Sequence, residues 1–293
     1  MKRPLVLGTI VVTGLLAITV FGQPPSGPIG SIDKITDNLY RIPGQGGNSA
    51  VFVRGDGVLL VDTKLKDNGQ ALLDQIKKVT DKPVTHIVNT HTHGDHTGSN
   101  MFFPASVEIV THENTKTNME KLPAFQDDKG KVGLPDRTYK DKMTLFSGKE
   151  AVDLYYFGAA HTNGDTFVVF RNARVMHSGD AFAGKSPPFI DVNNGGSGVA
   201  YGETIGKAAA GIKNIDKIIT GHSDVMAWQD FVDFGEFNRL FLAHARASLA
   251  AGKTPEQALA EFKPPEKFAG YDLTGTRGGP GGNFNVIYGE LRK

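Results

Sequence analysis

Apolar positions in this chain switch repeatedly between a period of two and a period near 3.6. Ile32 to Ile42 alternates as a strand does, with Asp37-Asn38 as a bend. Asn48 to Arg54 and Val58 to Val61 flank Gly55-Asp56-Gly57, a hairpin signal. Leu72, Leu73, Ile76 and Val79 then fall at helical spacing and predict an amphipathic helix over Gly69 to Val79. The run Pro83 to Asn89 predicts a buried strand, so the early chain reads β-α-β.

Beyond it the pattern predicts a helix start near Thr97 to Phe103, a strand at Val107 to Val110 and a polar helix from His112 to about Lys121. Pro123 to Lys142 is charged, proline-bearing and aperiodic, which predicts a surface insertion bordering the functional site. Strand character resumes at Ala151 to Phe157. Thr166 to Phe170 and Ala173 to His177 predict a hairpin through Arg171-Asn172, and a long Gly/Pro/Asn-rich loop spans Phe182 to Gly198. A helix at Gly202 to Ile212, a strand at Asp216 to Thr220 and helices at Trp228 to Ala251 and Pro255 to Phe262 follow. Thr254 with Gln257 forms a capping box for the last, and Pro255 takes its first position. The glycine-rich tail from Tyr271 reads as a strand at Asn283 to Tyr288 or as a frayed end. No fixed-period repeat occurs, which argues against a solenoid or propeller.

The first 22 residues stand apart. Lys2 and Arg3 precede an uncharged apolar run from Leu5 to Phe21, and Val20-Phe21-Gly22 precedes Gln23, which together read as a secretory signal peptide. The expected division is a signal peptide at 1–22 and one domain at 23–293, exported to the periplasm or secreted, with no stable membrane association after cleavage. An uncleaved anchor is the competing reading. The net charge is +1, and loss of Lys2 and Arg3 turns it slightly negative, so no field attracts nucleic acid or an anionic membrane. Cysteine is absent, which removes disulfides, thiolate ligands and a cysteine nucleophile. The 36 glycines imply many tight turns.

The chemistry concentrates in Thr90-His91-Thr92-His93-Gly94-Asp95-His96-Thr97-Gly98-Ser99, directly after the strand at Pro83 to Asn89. Imidazole and carboxylate are ordinary zinc ligands, and so many of them in six positions point to a metal. In an extended segment His91 and His93 share a side and can grip one ion, while Asp95 and His96 must diverge and can serve a second. Three later residues follow strands beside small neighbours: His161, Asp180 and His222. A lone His or Asp at a strand end is more often a turn-former than a ligand, but with the central loop these complete the inventory that two ions sharing a water require.

These residues, in this order and spacing, resemble the metallo-β-lactamase superfamily over roughly Ile32 to Ala251. The resemblance implies an α/β chain folded as a four-layer αβ/βα sandwich with a dinuclear site along one edge. It implies that His91, His93 and His161 hold one metal and Asp95, His96 and His222 the other, with Asp180 bridging and Asp62 supporting the metal loop. Two Zn2+ per chain are implied, with iron or manganese as alternatives.

Departures bear on substrate. Asp180 stands where one β-lactamase subclass has a cysteine, which brings the chain closer to glyoxalase-like and lactonase-like hydrolases; Ala160 replaces a usual glycine. Lys185 is a candidate for a substrate carboxylate, with a solvated loop charge as the competing reading. The expected reaction is metal-assisted hydrolysis of a small-molecule carbonyl substrate, a β-lactam, lactone, thioester or ester, with Asp95 orienting the nucleophile and relaying a proton. The competing readings are an iron-dependent oxidoreductase of the same fold and a non-catalytic metal-binding module. His86 and His177 are expected in the core or behind the ligands, and His112 and His244 partly exposed on helices.

Overall fold

The computed structural model describes residues 28–273 and 281–293. The signal-peptide assignment therefore lies outside the described residues. The first sheet takes its strands in chain order: β1 (Asp33–Lys34), β2 (Leu39–Ile42), β3 (Ser49–Val53), β4 (Val58–Val61), β5 (Val84–Val88), β6 (Glu108–His112) and β7 (Arg137–Tyr139). Its first strands run antiparallel, and α1 (Gly69–Ile76) is the crossover that makes β5 parallel to β4. β6 and β7 continue in parallel after α2 (Gly94–Thr97), α3 (Glu113–Met119) and α4 (Asp128–Lys131).

The second sheet is ordered β13-β12-β11-β10-β9-β8, with β8 (Lys142–Leu145), β9 (Val152–Tyr155), β10 (Phe167–Phe170), β11 (Val175–His177), β12 (Lys217–Ile219) and β13 (Met226–Ala227). Helices α5 (Gly198–Gly211), α6 (Trp228–Ala250), α7 (Pro255–Glu261) and α8 (Asn283–Leu291) complete the chain.

Alternation along the strands builds the layers. In β4, Val58 and Leu60 pack with Leu72 and Ile76 of α1, whereas Leu59 and Val61 face Val168 and Phe170 of β10. In β10, Phe167 and Val169 turn the other way, to Tyr201 and Ile205 of α5 and Phe231 and Phe234 of α6. These two central strands thus have two apolar faces each, and the order helix, sheet, sheet, helix follows: the αβ/βα sandwich. Fully burying side chains such as Leu72 and Ile76 stabilises the fold by ~1.5–3 kcal/mol each.

The structure differs from the sequence pattern in several places. Pro123 to Lys142 is not wholly an excursion, because β7 within it pairs with β6 at the edge of the first sheet. The tail over Asn283 to Tyr288 is a helix: Phe284, Ile287, Tyr288 and Leu291 share one face at helical spacing, and the first three are buried against the second helical layer. Helix α2 starts at Gly94, inside the histidine motif. His112 is buried at the end of β6, where Nδ1 accepts from the amide of Asn114 to cap α3.

Among the described residues no helix is long and apolar enough to cross a membrane.

Candidate metal centre

β4 and β5 are parallel in the first sheet; in the second, β9 and β11 both run antiparallel to β10, and β12 runs parallel to β11. The C-terminal ends of these strands therefore gather along one edge, where α/β sheets expose their loops. Asp62 follows β4, His91 to His96 follow β5, His161 follows β9, Asp180 follows β11 and His222 follows β12. Cross-sheet hydrogen bonds stitch that edge: Asn48 N–H donates to Gly221 O at 2.7 Å and Thr166 N–H to Thr90 O at 2.8 Å. All seven candidate ligands meet there. His91, His93, His161 and Asp180 form one group and Asp95, His96 and His222 a second, with the ligand atoms of each group within 4.8 Å of one another.

The first group has its ring protons fixed from outside. His93 Nε2 lies 2.6 Å from Asp191 Oδ2, and His161 Nδ1 lies 2.7 Å from the carbonyl of Phe189, so both outer nitrogens carry the proton. Thr90 Oγ1 donates to Asp62 and so can only accept from His91 Nδ1, at 3.0 Å. The three remaining nitrogens, His91 Nε2, His93 Nδ1 and His161 Nε2, are bare. His91 Nε2 and His161 Nε2 nevertheless crowd to 3.1 Å and 3.0 Å from His93 Nδ1. Lone pairs that face one another cannot hydrogen-bond; a cation between them resolves the conflict. Burial, with His93 beside it, pushes His161 down to about 4, and burial with His96 and His161 beside it pushes His91 well below the usual range, favouring the neutral form that binds metal.

His96 anchors the second group. Its Nδ1 donates to Asp62 Oδ2 at 2.7 Å, which turns Nε2 inward, 3.4 Å from His222 Nε2. Burial opposes charge on this ring, but Asp95, Asp62 and Asp180 outweigh it and hold it well above the usual range. Asp95 Oδ2 lies 3.3 Å from His222 Nε2. Burial works to raise the Asp95 carboxyl, but His96 and His222 outweigh it and hold it at about 2. Burial likewise opposes charge on His222, yet Asp180 and Asp95 lift it to about 9. The backbone passes close to these rings: a Cβ on Gly47 would lie 2.1 Å from His96 Cε1.

Asp180 stands between the groups. Its Oδ1 lies 3.3 Å from His96 Nε2 and 3.2 Å from His222 Nε2, and its Oδ2 lies 3.7 Å from His161 Nε2. Oδ1 is buried with no hydrogen-bond partner of good geometry. An orphaned carboxylate oxygen costs free energy unless something charged meets it. Orphaned oxygen, bare nitrogens and hard-to-borderline donors together fit divalent metal.

Asp62, buried, accepts from Thr90 N–H at 2.8 Å as well as from Thr90 Oγ1 and His96, the supporting place expected of it. The Lys185 ammonium pairs with Asp230 of α6 at 2.7 Å. His177 lies behind the ligands, its Nε2 2.9 Å from Asn48 O. Asp191 was not legible beforehand. Asp191-Val192-Asn193-Asn194-Gly195 signals a turn, but nothing local announces a partner at His93. Gly47 was equally silent. A cavity of 400 Å³ opens beside His222, lined by Arg41, Asn48, Ser223 and Asp224 among others, and the Phe189 ring flanks His161 on the opposite group.

The metallo-beta-lactamase superfamily model matches residues 42–225. The chain belongs to that superfamily. Metallo-beta-lactamase IND-1 of Chryseobacterium indologenes is 29% identical over 178 residues, which are 60% of this chain and 72% of that protein. The sec-alkylsulfatase Pisa1 of Pseudomonas sp. shares the fold at a TM-score of 0.74 and 15% identity, covering 89% of this chain and 50% of the other. DIM-1 metallo-beta-lactamase aligns at a TM-score of 0.60 and 17% identity, covering 72% and 99%. The chain spans about half the length of the alkylsulfatase. It has, then, the superfamily's hydrolase-like fold with a histidine/aspartate cluster suited to divalent metal.

Proposed function

We propose that the chain is an exported hydrolase that cleaves a carbonyl substrate at a centre of two divalent metals, zinc foremost, with β-lactams as the leading class and lactones, thioesters and other esters beside them. One observation carries this reading: the outer partners of His91, His93 and His161 turn bare nitrogens inward beside the buried oxygen of Asp180 that makes no hydrogen bond. Similarity to IND-1 supports the β-lactam class. Asp180, shared in kind with ester-cleaving hydrolases by the resemblance, supports the others.

His91, His93 and His161 would hold one ion, Asp95, His96 and His222 the other, with Asp180 between. When bound, the ions supply a Lewis acid and water acidified toward neutral pH. The chain's residues do the rest. Asp95, ionised well below neutrality, accepts a hydrogen bond from the attacking water through the carboxylate and so aims it at the carbonyl carbon. As the carbon–heteroatom bond breaks, Asp95 carries the proton to the departing atom. The Phe189 ring beside His93 and His161 shields that flank from bulk water.

The test is a hydrolysis screen of nitrocefin, simple lactones and glutathione thioesters, before and after chelation. Cleavage of one class, lost on chelation and restored by zinc, is expected. Iron in the purified protein with no cleavage of any carbonyl substrate would overturn the reading.

A further inference from the structure

Asp191 lies in the loop between β11 and α5, far in sequence from every histidine of the first group but His161. Its carboxylate is 10% exposed and meets four donors. Oδ2 accepts from His93 Nε2 at 2.6 Å and from Asn194 Nδ2 at 2.6 Å. Oδ1 accepts from Asn193 N–H at 3.0 Å and from Asn194 N–H at 3.3 Å. The backbone makes a second tie: Asp191 N–H donates to His161 O at 2.9 Å, and Gly196 N–H donates to Asp191 O at 2.8 Å. Two residues earlier, the Phe189 carbonyl takes the outer proton of His161.

We propose that Asp191 is a positioning residue that fixes the tautomer of His93, so that the three-histidine site, and not the Asp95–His96–His222 site, depends on it. The argument is one of donors and acceptors. A neutral imidazole carries one ring proton, and the oxygen that accepts it decides which nitrogen is bare. With a carboxylate at Nε2 the proton sits outside and Nδ1 faces His91 and His161. Every oxygen lone pair of Asp191 is aimed at a donor, so only an acceptor-only group satisfies all four contacts.

An amide cannot. With its NH2 toward His93, Nε2 must accept, and the ring proton moves to Nδ1, among the ligand nitrogens. With its oxygen toward His93, the NH2 meets the two amide protons of Asn193 and Asn194 and the turn is lost. The second group has its own acceptor in Asp62 and shares no contact with Asp191, so it is spared. This inference rests on reading the site as a metal centre, but the tautomer itself can be read with no metal added.

The experiment has two arms on the full chain. In the first, 15N NMR of wild-type protein stripped of metal is expected to show His93 protonated at Nε2 and bare at Nδ1; protonation at Nδ1 overturns the proposal whatever the metal does. In the second, zinc is titrated against a chromophoric chelator. D191N is expected to bind one ion as wild type does and the other ten- to a hundred-fold more weakly, the usual cost of losing such a partner. D191E is expected to recover part of that loss. N194A removes a donor from the same turn without touching His93 and is expected to keep both affinities. If D191N keeps both affinities, weakens both ions alike, or is matched by N194A, Asp191 does not set the tautomer. If D191N fails to fold, the NMR arm decides alone.

Discussion

Asp62 Oδ2 lies 2.7 Å from His96 Nδ1, with neither side chain exposed to solvent. The same carboxylate accepts both the N–H and the hydroxyl of Thr90, so one residue at the end of β4 sets the loop after β5 and the proton of its last histidine. D62N puts a donor where three donors point. It is expected to weaken zinc binding at the Asp95–His96–His222 group by roughly ten- to a hundred-fold. Unfolding stability should fall by about 1–3 kcal/mol for the unpaired buried groups. Chelator competition and urea denaturation check the two; unchanged values in both would remove Asp62 from its supporting place.

Asp95 differs in kind, because its side chain is 16% exposed where His96 and Asp62 are fully buried, and the proposed reaction gives it the proton. D95N is expected to lower kcat on the confirmed substrate by at least about a hundred-fold, the range of a lost proton-transfer group. The Tm should move little. A variant with undiminished turnover would contradict the role given to Asp95.

Gly47 tests the close packing behind His96. A Cβ there would sit 2.1 Å from His96 Cε1, so G47A must displace either the ring or the strand entry. A loss of about 1–3 kcal/mol is expected from such overpacking, together with weaker zinc binding at the second group. Denaturation and zinc titration of G47A give the answer, and wild-type values would show that the ring has room.

How much of this was legible depended on sequence distance. His91, His93, Asp95 and His96 announce themselves because a single loop carries them. His161, Asp180 and His222 were readable only as residues after strands, and their meeting required that β9, β11 and β12 run the same way. Asp191 escaped because its meaning lies in a contact with His93 across the fold, while its local sequence says only that the chain turns. The α8 helix was read as a strand or a frayed end because Asn283 and Asn285 mask the helical spacing of Phe284, Ile287, Tyr288 and Leu291. His112 looked exposed on a helix; it is instead the buried strand residue that caps that helix.

Lys64 gives a pH dependence. The side chain is fully buried, and its ammonium donates to the carbonyls of Ile42 and Gly47. Burial lowers it from 10.5 to about 7, with Asp62 opposing. Below pH 7 the group is protonated in both states; above 10.5 it is protonated in neither. Between them the unfolded chain holds a proton that the folded chain has released, so this group makes stability rise with pH across the window. Between pH 7.5 and 9, wild type is expected to gain about 1–2 kcal/mol relative to K64M, since each unit is worth at most about 1.4 kcal/mol. Denaturation curves of both proteins at the two pH values measure the difference, and parallel behaviour would mean that Lys64 stays charged throughout.

The account centres on two clusters that each hold an ion. Its most direct test is the metal-to-protein ratio of purified wild type and of H222A, by elemental analysis after removal of loosely bound metal. About two divalent ions in wild type and about one in H222A are expected of a two-metal site. No bound metal in wild type, or an equal ratio in both proteins, would contradict it.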